Sequence, residues 1–386
     1  MNSNISLTSP IVSVAWLHEH INANNLVILD GTINKVFDNT TQQIPNARLF
    51  EIKKKFSDLR NPFPSAFPPT AQFQKEARAL GINQDSAIVV YDDKGIYSSA
   101  RVWWLFKAFG YNNVAVLNGG FPEWQKARYL TESMHEYQGE SGNFIANLQP
   151  NYMRFFNDIE KASKNNTHKI IDARSSGRFN CIEPEPRAGL RMGTIPNSIN
   201  LPFTDLLDNG VLKSKKDLAK AFYMVAEQDE PIIFSCGSGI TACVLALGAE
   251  LSGYKNISVY DGSWTEYGSL VTSDMEKPST WTKEELLAYI LMYVSHADLG
   301  ESRKEKDYIL SRVDKAIYNR VNQQFEKDND YQSIQNIIEA VKSHNYYRND
   351  LADLFADIKL MAFVDGDYDP MEQMIYSHLK KMLKEN

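Results

Sequence analysis

The 386-residue sequence has only three cysteines, Cys181, Cys236 and Cys243. So few thiols cannot form a disulfide framework, and their spacing is not that of zinc ligands. We therefore expect no metal and no cofactor. No apolar run approaches the roughly 18 residues of a membrane-spanning helix, and the N-terminus lacks the basic region of a secretory signal. These absences predict a cytoplasmic protein that does not bind a membrane.

Positive charge is in the minority, since 41 Lys and Arg stand against 48 Asp and Glu, a net charge of −7. This balance argues against nucleic acid or an anionic membrane surface as a partner. The hydrophobic fraction of 43% is ordinary for a protein with a real core. The length alone predicts two or three domains.

Glycine and proline become scarce towards the C-terminus. Of the 20 glycines only two, and of the 15 prolines only one, follow residue 281. Sequence without helix breakers favours long helices, so we predict that residues 281–386 form a separate all-α domain. Thr282, with Glu285 three residues on, has the pattern of a capping box at its start.

The first 280 residues contain an internal repeat of short apolar strands that alternate with helical segments. Four segments of the first half resemble four segments of the second half, in the same order. The pairs are 26–30 with 169–174, 44–47 with 195–198, 87–91 with 231–235, and 114–121 with 257–264. Such alternation is typical of a parallel sheet in an α/β fold. We predict a first domain over residues 8–130, a linker over 131–152 and a second domain over 153–273.

One loop in the second half has the strongest chemical signal. It consists of Cys236, Gly237, Ser238, Gly239, Ile240 and Thr241. Apolar residues precede and follow it, which predicts a strand, a tight loop and a helix. A thiol there lies at a helix N-terminus, where backbone N–H groups and the macrodipole favour its anion, so Cys236 is expected to be nucleophilic near neutral pH. The alternative is a buried cysteine beside an ordinary turn.

The tandem halves and this loop together resemble the two-domain rhodanese-like sulfurtransferases, over residues 8–272. The resemblance implies two rhodanese-like α/β domains, each a parallel sheet flanked by helices, of which only the second is catalytic. The loop is similar to that of the 3-mercaptopyruvate sulfurtransferase branch, which usually has Val where Ile240 stands. The thiosulfate branch has Arg and Lys at the positions of Gly237 and Ser238. Their absence favours a smaller sulfur donor with one carboxylate.

Residues 177–189 carry a second part of the resemblance, with the motifs Gly-Arg-Phe and Glu-Pro-Arg. In the family these two arginines bind the donor's carboxylate and keto oxygen, which implies that role for Arg178 and Arg187. A guanidinium is always charged, and its forked donors match a carboxylate. The alternative is that either arginine pairs with Glu183 or Glu185 on the surface.

The sequence departs from the family pattern at Gln43. The family usually has a histidine there and assigns it to a proton relay with the loop serine. Glutamine cannot act as a general base, and residues 21–134 contain no histidine at all. Either the relay is dispensable because the thiolate is already formed, or the donor differs from 3-mercaptopyruvate.

The function that the resemblance implies is transfer of a sulfane sulfur through a Cys236 persulfide. The donor is 3-mercaptopyruvate, pyruvate is released, and the acceptor is cyanide or a thiol such as that of thioredoxin. Loop N–H groups from Gly237 to Thr241 stabilise the thiolate and the persulfide, and Thr241 is expected mainly to cap the helix. Two alternatives remain, a thiosulfate:cyanide sulfurtransferase and a non-enzymatic sulfur-carrier or regulatory module fed by a partner.

Five other side chains have expectations of their own. Arg101, at a helix start in the first half, either reaches the cleft or forms a salt bridge at the domain interface. Trp103 and Trp104 are expected in the core, and Cys243 is expected to be a buried packing residue. Cys181 lies between the two arginines, where a bystander thiol is favoured over a redox role.

The C-terminal residues contain an acidic run, 365–372, that invites comparison with a calcium-binding EF-hand. Pro370 stands at the place of the required glycine and Tyr376 at that of the bidentate glutamate, so we expect no calcium site. Residues 296–301 look like a degenerate first copy of this run. The pair resembles the helical repeat of the TerB-like tellurite-resistance family. This resemblance implies no definite chemistry and leaves two roles open, metal binding or the docking of a protein partner.

Overall fold

The computed structural model describes most of the chain. The described residues are 3–271, 281–296, 303–326, 328, 333, 336–337, 340–341, 351–362, 376–377 and 379–380. The chain divides into two compact units, residues 1–269 and 270–386. Among the described helices, none combines the length and the apolar character needed to cross a membrane. The EF-hand-like run at 365–372 lies outside the described residues, as do residues 297–301 of its first copy.

The first domain is built on a five-stranded sheet in the order β1-β6-β5-β2-β4, in which every pairing is parallel. Its strands are β1 (Ile11–Val12), β2 (Leu26–Asp30), β3 (Gln42–Gln43), β4 (Arg48–Leu49), β5 (Ala87–Tyr91), β6 (Val114–Leu117) and β7 (Glu132–Ser133). Its helices are α1 (Val14–His20), α2 (Thr70–Ala79), α3 (Ser99–Ala108) and α4 (Gly120–Lys126). Strands β3 and β7 form a separate antiparallel pair, so the start of the expected linker is tied to the first domain.

The second domain repeats this architecture, with a five-stranded parallel sheet in the order β10-β9-β13-β14-β8. Its strands are β8 (Met153–Arg154), β9 (Lys169–Asp172), β10 (Ser198–Asn200), β11 (Leu207–Asp208), β12 (Val211–Leu212), β13 (Ile232–Ser235) and β14 (Ile257–Tyr260). Its helices are α5 (Phe156–Asn165), α6 (Ser176–Phe179), α7 (Lys215–Tyr223), α8 (Ala242–Leu251) and α9 (Ser263–Leu270). The two sheets have equivalent strand orders, so the predicted repeat and its α/β fold class are confirmed.

The two tandem domains contribute side chains to one common core cluster. In α3 every residue except Lys107 is buried, and in α8 the eight residues 242–249 are all buried. A helix that is apolar on all sides needs neighbours on all sides, and α3 and α8 pack together in a single cluster of side chains from both domains. Trp103 and Trp104 are fully buried in this cluster, as predicted. The helix that follows the cysteine loop is thus held between the two sheets.

The second unit is helical, as predicted. Its described helices are α10 (Lys283–Ser295), α11 (Arg303–Arg312), α12 (Lys315–Phe325) and α13 (Leu351–Ala362). The capping box at the start of α10 is present, because the Thr282 hydroxyl accepts from the Glu285 N–H and the Glu285 carboxylate accepts from the Thr282 N–H. Apolar side chains of α10 lie at the centre of a separate core.

Candidate active site

The cysteine loop lies where the sequence predicts it. Strand β13 ends at Ser235, helix α8 begins at Ala242, and residues 236–241 form the turn between them. Cys236 is only 1% exposed. Gly237 and Ser238 are half-buried, and the rest of the loop is buried. Gly239 has a φ of +72°, a conformation that a glycine adopts without strain. The strand–loop–helix prediction is confirmed.

Thr241 occupies the N-cap position of α8, but its side chain makes no capping hydrogen bond. Its φ and ψ of −76° and −17° are already helical, whereas a hydroxyl caps most readily from an extended backbone. The expectation that Thr241 caps the helix through its side chain is therefore wrong.

Ser263 lies directly under the loop and was missed in the sequence. Its Oγ accepts hydrogen bonds from the N–H of Cys236 at 3.0 Å and from the N–H of Gly239 at 3.1 Å, and it lies 3.8 Å from Sγ of Cys236. Ser263 is fully buried and has a φ of +51°. In the repeat it stands opposite Gly120, whose φ is +55°. In the sequence alone, the serine opposite a glycine of the repeat was the one signal that could have drawn attention to this residue.

The first turn of α9 holds the loop from the same side. The N–H of Trp264 donates to the carbonyl of Cys236 at 2.9 Å. The N–H and the hydroxyl of Thr265 both donate to the carbonyl of Gly237, at 2.9 and 2.5 Å. Since Ser263 takes two loop N–H groups and its neighbours satisfy two loop carbonyls, the backbone around the thiol is fixed by α9.

Arg178 lies against the loop and is also ion-paired. A Cβ atom added at Gly237 would lie 2.9 Å from Nη2 of Arg178, so the glycine leaves room for the guanidinium. The same Nη2 is 2.5 Å from Oε2 of Glu185, and the side chain is 23% exposed. Glu185 is held in turn by the buried Arg174, at 2.7 Å. The pairing with Glu185 that the sequence left open is thus formed, and it positions Arg178 beside the cysteine loop.

Arg187 lies in a neighbouring cleft between the two tandem domains. The cleft has a volume of about 470 Å³, and its lining includes Lys53 and Ser65 from the first domain and Arg187 and Thr265 from the second. Cys236 and Arg178 are not part of this lining. The structure therefore places Arg178 at the loop and Arg187 in the adjoining cleft. Thr265 connects the two places, because it lines the cleft and donates its hydroxyl to the carbonyl of Gly237.

Tyr97 of the first domain is a second residue that sequence reasoning missed. Burial raises the pKa of its phenol, the negative charge of Cys236 adds to the rise, and the positive charge of Arg178 opposes it. The ring of Phe203 packs edge-on against Tyr97, with centroids 5.8 Å apart. The hydroxyl is therefore protonated and within electrostatic range of the thiol and of Arg178. Residues 92–97 follow β5 in the first half as the cysteine loop follows β13 in the second, and Tyr97 is the last of them.

The side chain of Gln43 forms two hydrogen bonds that stabilise the first domain. Its side chain is buried, and Nε2 donates to the carbonyl of Ala47 at 3.1 Å and to Oε1 of Glu132 at 3.0 Å. Both N–H bonds of the amide are thus used, and they link β3 to β7. Gln43 therefore ties the first domain to the residues that follow it.

Arg101 reaches the cysteine loop from the first domain. It is 1% exposed and pairs with Asp261 of the second domain, with Nη2 2.6 Å from Oδ1. Its guanidinium also donates to the carbonyls of Ser65 at 3.0 Å and Gly239 at 3.4 Å. The interface salt bridge that the sequence suggested is confirmed, and it contacts the loop as well.

The two remaining cysteines differ sharply in environment. Cys243 is fully buried, as predicted, and its thiol donates to the carbonyl of Gly239 at 3.3 Å. Burial raises the pKa of this thiol to about 12, although the charge of Arg101 opposes the shift. Cys181 is exposed. Within the described residues, no group of three or more His, Cys, Asp or Glu side chains is arranged to hold a metal ion.

Comparison with known proteins shows which family the chain belongs to. The model of the Rhodanese-like domain matches residues 13–127 and 156–270. The 3-mercaptopyruvate sulfurtransferase of Escherichia coli (strain K12) is 36% identical over 271 residues, which cover 68% of this chain and 96% of that protein. The mitochondrial thiosulfate/3-mercaptopyruvate sulfurtransferase 1 of Arabidopsis thaliana is 36% identical over 296 residues, 69% of this chain and 78% of that protein.

A solved structure supports the same family. The crystal structure of SseA from Escherichia coli, a 3-mercaptopyruvate sulfotransferase with the rhodanese fold, superposes with a TM-score of 0.59 at 34% identity. The match covers 67% of this chain and 99% of that one. These relatives share the tandem domains that surround Cys236, and their coverage and identity carry the assignment of an enzyme family. This chain belongs to the rhodanese-like sulfurtransferases, the family of the 3-mercaptopyruvate sulfurtransferases.

Proposed function

We propose that the protein transfers sulfur from 3-mercaptopyruvate through a persulfide on Cys236. The Cys236 thiolate attacks the donor's sulfur, the carbon–sulfur bond breaks, and its electron pair leaves as the enolate of pyruvate. The enolate then takes a proton and departs as pyruvate. A thiol such as that of thioredoxin, or cyanide, attacks the outer sulfur and returns Cys236 as a thiolate. Covalent catalysis of this kind divides one difficult transfer into two easier steps.

The observation that carries the proposal is the fixed loop around Cys236 with Arg178 against it. The thiol lies at the start of α8, where the helix dipole favours an anion, and Ser263 and the first turn of α9 hold the surrounding backbone. The N–H groups of Gly237, Ser238, Ile240 and Thr241 are our candidates for stabilising the thiolate and the persulfide. The N–H of Gly239, which the sequence also suggested for this role, donates to Ser263 instead.

The charges around the loop favour a donor with a carboxylate. Arg178 lies against Gly237, and Arg187 lines the adjoining cleft. We assign both to binding of the carboxylate and keto oxygen, because a guanidinium offers forked donors to such oxygens. Tyr97, whose hydroxyl stays protonated, is our candidate for a hydrogen bond to the enolate oxygen. With Gln43 committed to Ala47 and Glu132, the mechanism uses no histidine at that position.

The experiment is turnover of the purified chain with 3-mercaptopyruvate and cyanide, followed by thiocyanate and pyruvate formation. Cys236→Ser is expected to abolish turnover, and Cys181→Ser, which changes an exposed thiol, is expected to leave it unchanged. Mass spectrometry after donor alone should show one added sulfur atom on the peptide that contains Cys236. A folded protein that forms neither pyruvate nor this persulfide would refute the proposal.

We further propose a cytoplasmic location and a docking role for the helical unit, residues 281–386. The support for docking is the sequence resemblance of this unit to TerB-like helical repeats, together with the separate core of its described helices. The docked protein would be the source or the acceptor of the sulfur.

A further inference from the structure

Asp92 occupies in the first domain the place that Cys236 holds in the second. Strand β5 ends at Tyr91 and strand β13 ends at Ser235, so each of the two residues is the first after its strand. The side chain of Asp92 is fully buried. A carboxylate therefore stands inside the first domain where the second domain has its thiol.

The Asp92 carboxylate is held by three backbone N–H groups. Its Oδ1 accepts from Lys94 at 2.9 Å, and its Oδ2 accepts from Tyr97 and from Ser99, both at 2.8 Å. Ser99 is the first residue of α3, where the helix dipole favours a negative charge. Residues 92–97, which we call the Asp92 loop, are thus folded around the side chain of their own first residue.

The two domains hold their equivalent loops with different acceptors. In the second domain the Ser263 hydroxyl lies under the loop and accepts from the N–H of Cys236. The equivalent position in the first domain is Gly120, where a Cβ atom would clash with the carbonyl oxygens of Asp92 and Gly95. No side chain fits there, so the carboxylate of Asp92 is the acceptor for N–H groups of its own loop.

The Asp92 loop carries Tyr97 to the boundary with the second domain. A Cβ atom added at Gly95 would lie 2.6 Å from the carbonyl oxygen of Gly210 in the second domain, so the two backbones are in close contact. Burial raises the pKa of the Tyr97 phenol, and the negative charges of Cys236 and Asp92 add to the rise. Asp92 thus holds the backbone of Tyr97, and its charge favours the protonated phenol.

We propose that Asp92 is a positioning residue whose carboxylate holds the Asp92 loop so that the Tyr97 hydroxyl faces the donor at Cys236. This role rests on the proposed function, in which that hydroxyl hydrogen-bonds to the enolate oxygen of pyruvate. Asp92 does not touch the donor itself. Its effect on catalysis is therefore confined to donors that leave as an enolate, and it is exerted through Tyr97.

The test is a double-mutant cycle of Asp92→Asn and Tyr97→Phe on the full chain. Asp92→Asn removes the charge and one carboxylate acceptor with little change in volume. We expect it to lower kcat with 3-mercaptopyruvate about tenfold and to change kcat with thiosulfate less than about twofold. In the Tyr97→Phe background it should cost less than a further factor of about two, because residues that act through one another are not additive.

The matched control is Asn113→Ala, at the opposite edge of the same sheet. The Asn113 amide accepts from the N–H of Leu7 at 2.8 Å and donates to the carbonyl of Ser86 at 3.0 Å. It therefore holds backbone of the first domain as Asp92 does, but it lies away from the Asp92 loop. We expect kcat to be unchanged with both donors.

Hydrogen exchange gives a readout that does not depend on turnover. Asp92→Asn should speed amide exchange in the peptide that covers residues 92–99 and leave the other peptides of the first domain unchanged, which also shows that the variant is folded.

Three outcomes would overturn the inference. They are an equal loss of kcat with both donors, an undiminished loss in the Tyr97→Phe background, and unchanged exchange over residues 92–99. Absence of turnover in the unaltered protein would instead refute the proposed function, and the exchange experiment would still decide whether Asp92 holds the loop.

Discussion

Arg101 and Asp261 form a buried ion pair across the boundary of the two tandem domains, with Nη2 2.6 Å from Oδ1. The second carboxylate oxygen of Asp261 accepts from the N–H of Phe67 at 2.6 Å, and Arg101 contacts the carbonyl of Gly239. The domain without a thiol thus supports the loop that holds the thiol. A buried pair of this kind is costly to break, because the partner left behind stays charged and desolvated.

Replacing Arg101 by Met is expected to reduce both stability and turnover. The free energy of unfolding should fall by about 3–5 kcal/mol, the usual cost of leaving one buried charge unpaired. Turnover should fall further than the folded fraction does, because the carbonyl of Gly239 also loses a donor. Urea denaturation and kcat on the same samples separate the two effects. The double variant R101M/D261N removes both charges and keeps an amide oxygen as an acceptor for the N–H of Phe67, so it should recover much of the stability and little of the turnover.

The matched control is Lys107→Met. Lys107 pairs with Glu250 across the same domain boundary at 3.2 Å, but it is partly exposed and does not contact the loop. An exposed pair contributes only about 0–1 kcal/mol, and we expect kcat to be unchanged. Equal losses of kcat in the Arg101 and Lys107 variants would contradict a specific role for Arg101 at the loop.

Ser263→Ala and Ser263→Gly test the support under Cys236. Both remove the acceptor of the Cys236 and Gly239 N–H groups, and an unpaired buried donor costs about 1–3 kcal/mol. The glycine variant also relieves the positive φ, so it should be the more stable of the two. If the hydroxyl is what matters, kcat falls in both by about tenfold or more. Ser252→Ala, at the far end of α8, is the control and should retain full activity.

Cys181 and Cys243 should differ in reactivity towards iodoacetamide. With a pKa of about 12 and complete burial, Cys243 has a thiolate fraction of about 1 in 10⁴ at pH 8, and the thiolate is the reacting species. Exposed Cys181 should be alkylated readily in the folded protein, and Cys243 only after denaturation. Peptide mass spectrometry of samples alkylated in the folded and in the denatured state measures the labelling of each cysteine. Alkylation of Cys243 at the rate of Cys181 in the folded state would show that the interior around Arg101 opens.

Tyr97→Phe tests the assignment of the phenol to the enolate. With 3-mercaptopyruvate, loss of the hydroxyl is expected to lower kcat about tenfold or more. With thiosulfate no enolate forms, so kcat should be unchanged for that donor. The comparison of the two donors on one variant is the measurement. An equal loss with both would indicate that Tyr97 acts on the loop rather than on the donor.

The fold was predictable because its strands are continuous apolar runs and its turns are marked by glycine and proline. Residues 87–91 and 231–235 read as buried strands of a parallel sheet, and they occupy equivalent places in the two sheets. Thr282 and Glu285 predicted the start of α10 because a capping box is a local pattern. A local pattern, a glycine-containing loop between two apolar segments, also identified Cys236 as the candidate nucleophile.

The surroundings of Cys236 could not be predicted in the same way. Ser263 reaches the loop from 27 residues away, and Asp261 meets Arg101 across 160 residues. Such contacts depend on how the sheets bring chain ends together, which no local pattern encodes. Thr241 is a case in which a local pattern failed. Its residue type predicted a side-chain cap of α8, but its helical backbone conformation does not favour one.

The shared core of α3 and α8 has a consequence for how this enzyme can be divided. The two domains are repeats in sequence, yet each presents an almost wholly apolar helix that is buried against the helix of the other. Separated halves would expose these helices to water at a large hydrophobic cost. The tandem pair should accordingly melt in a single cooperative transition, and neither half should be recoverable as an independent domain. The sequence thus shows two repeats, whereas the core they share makes the pair a single unit of stability.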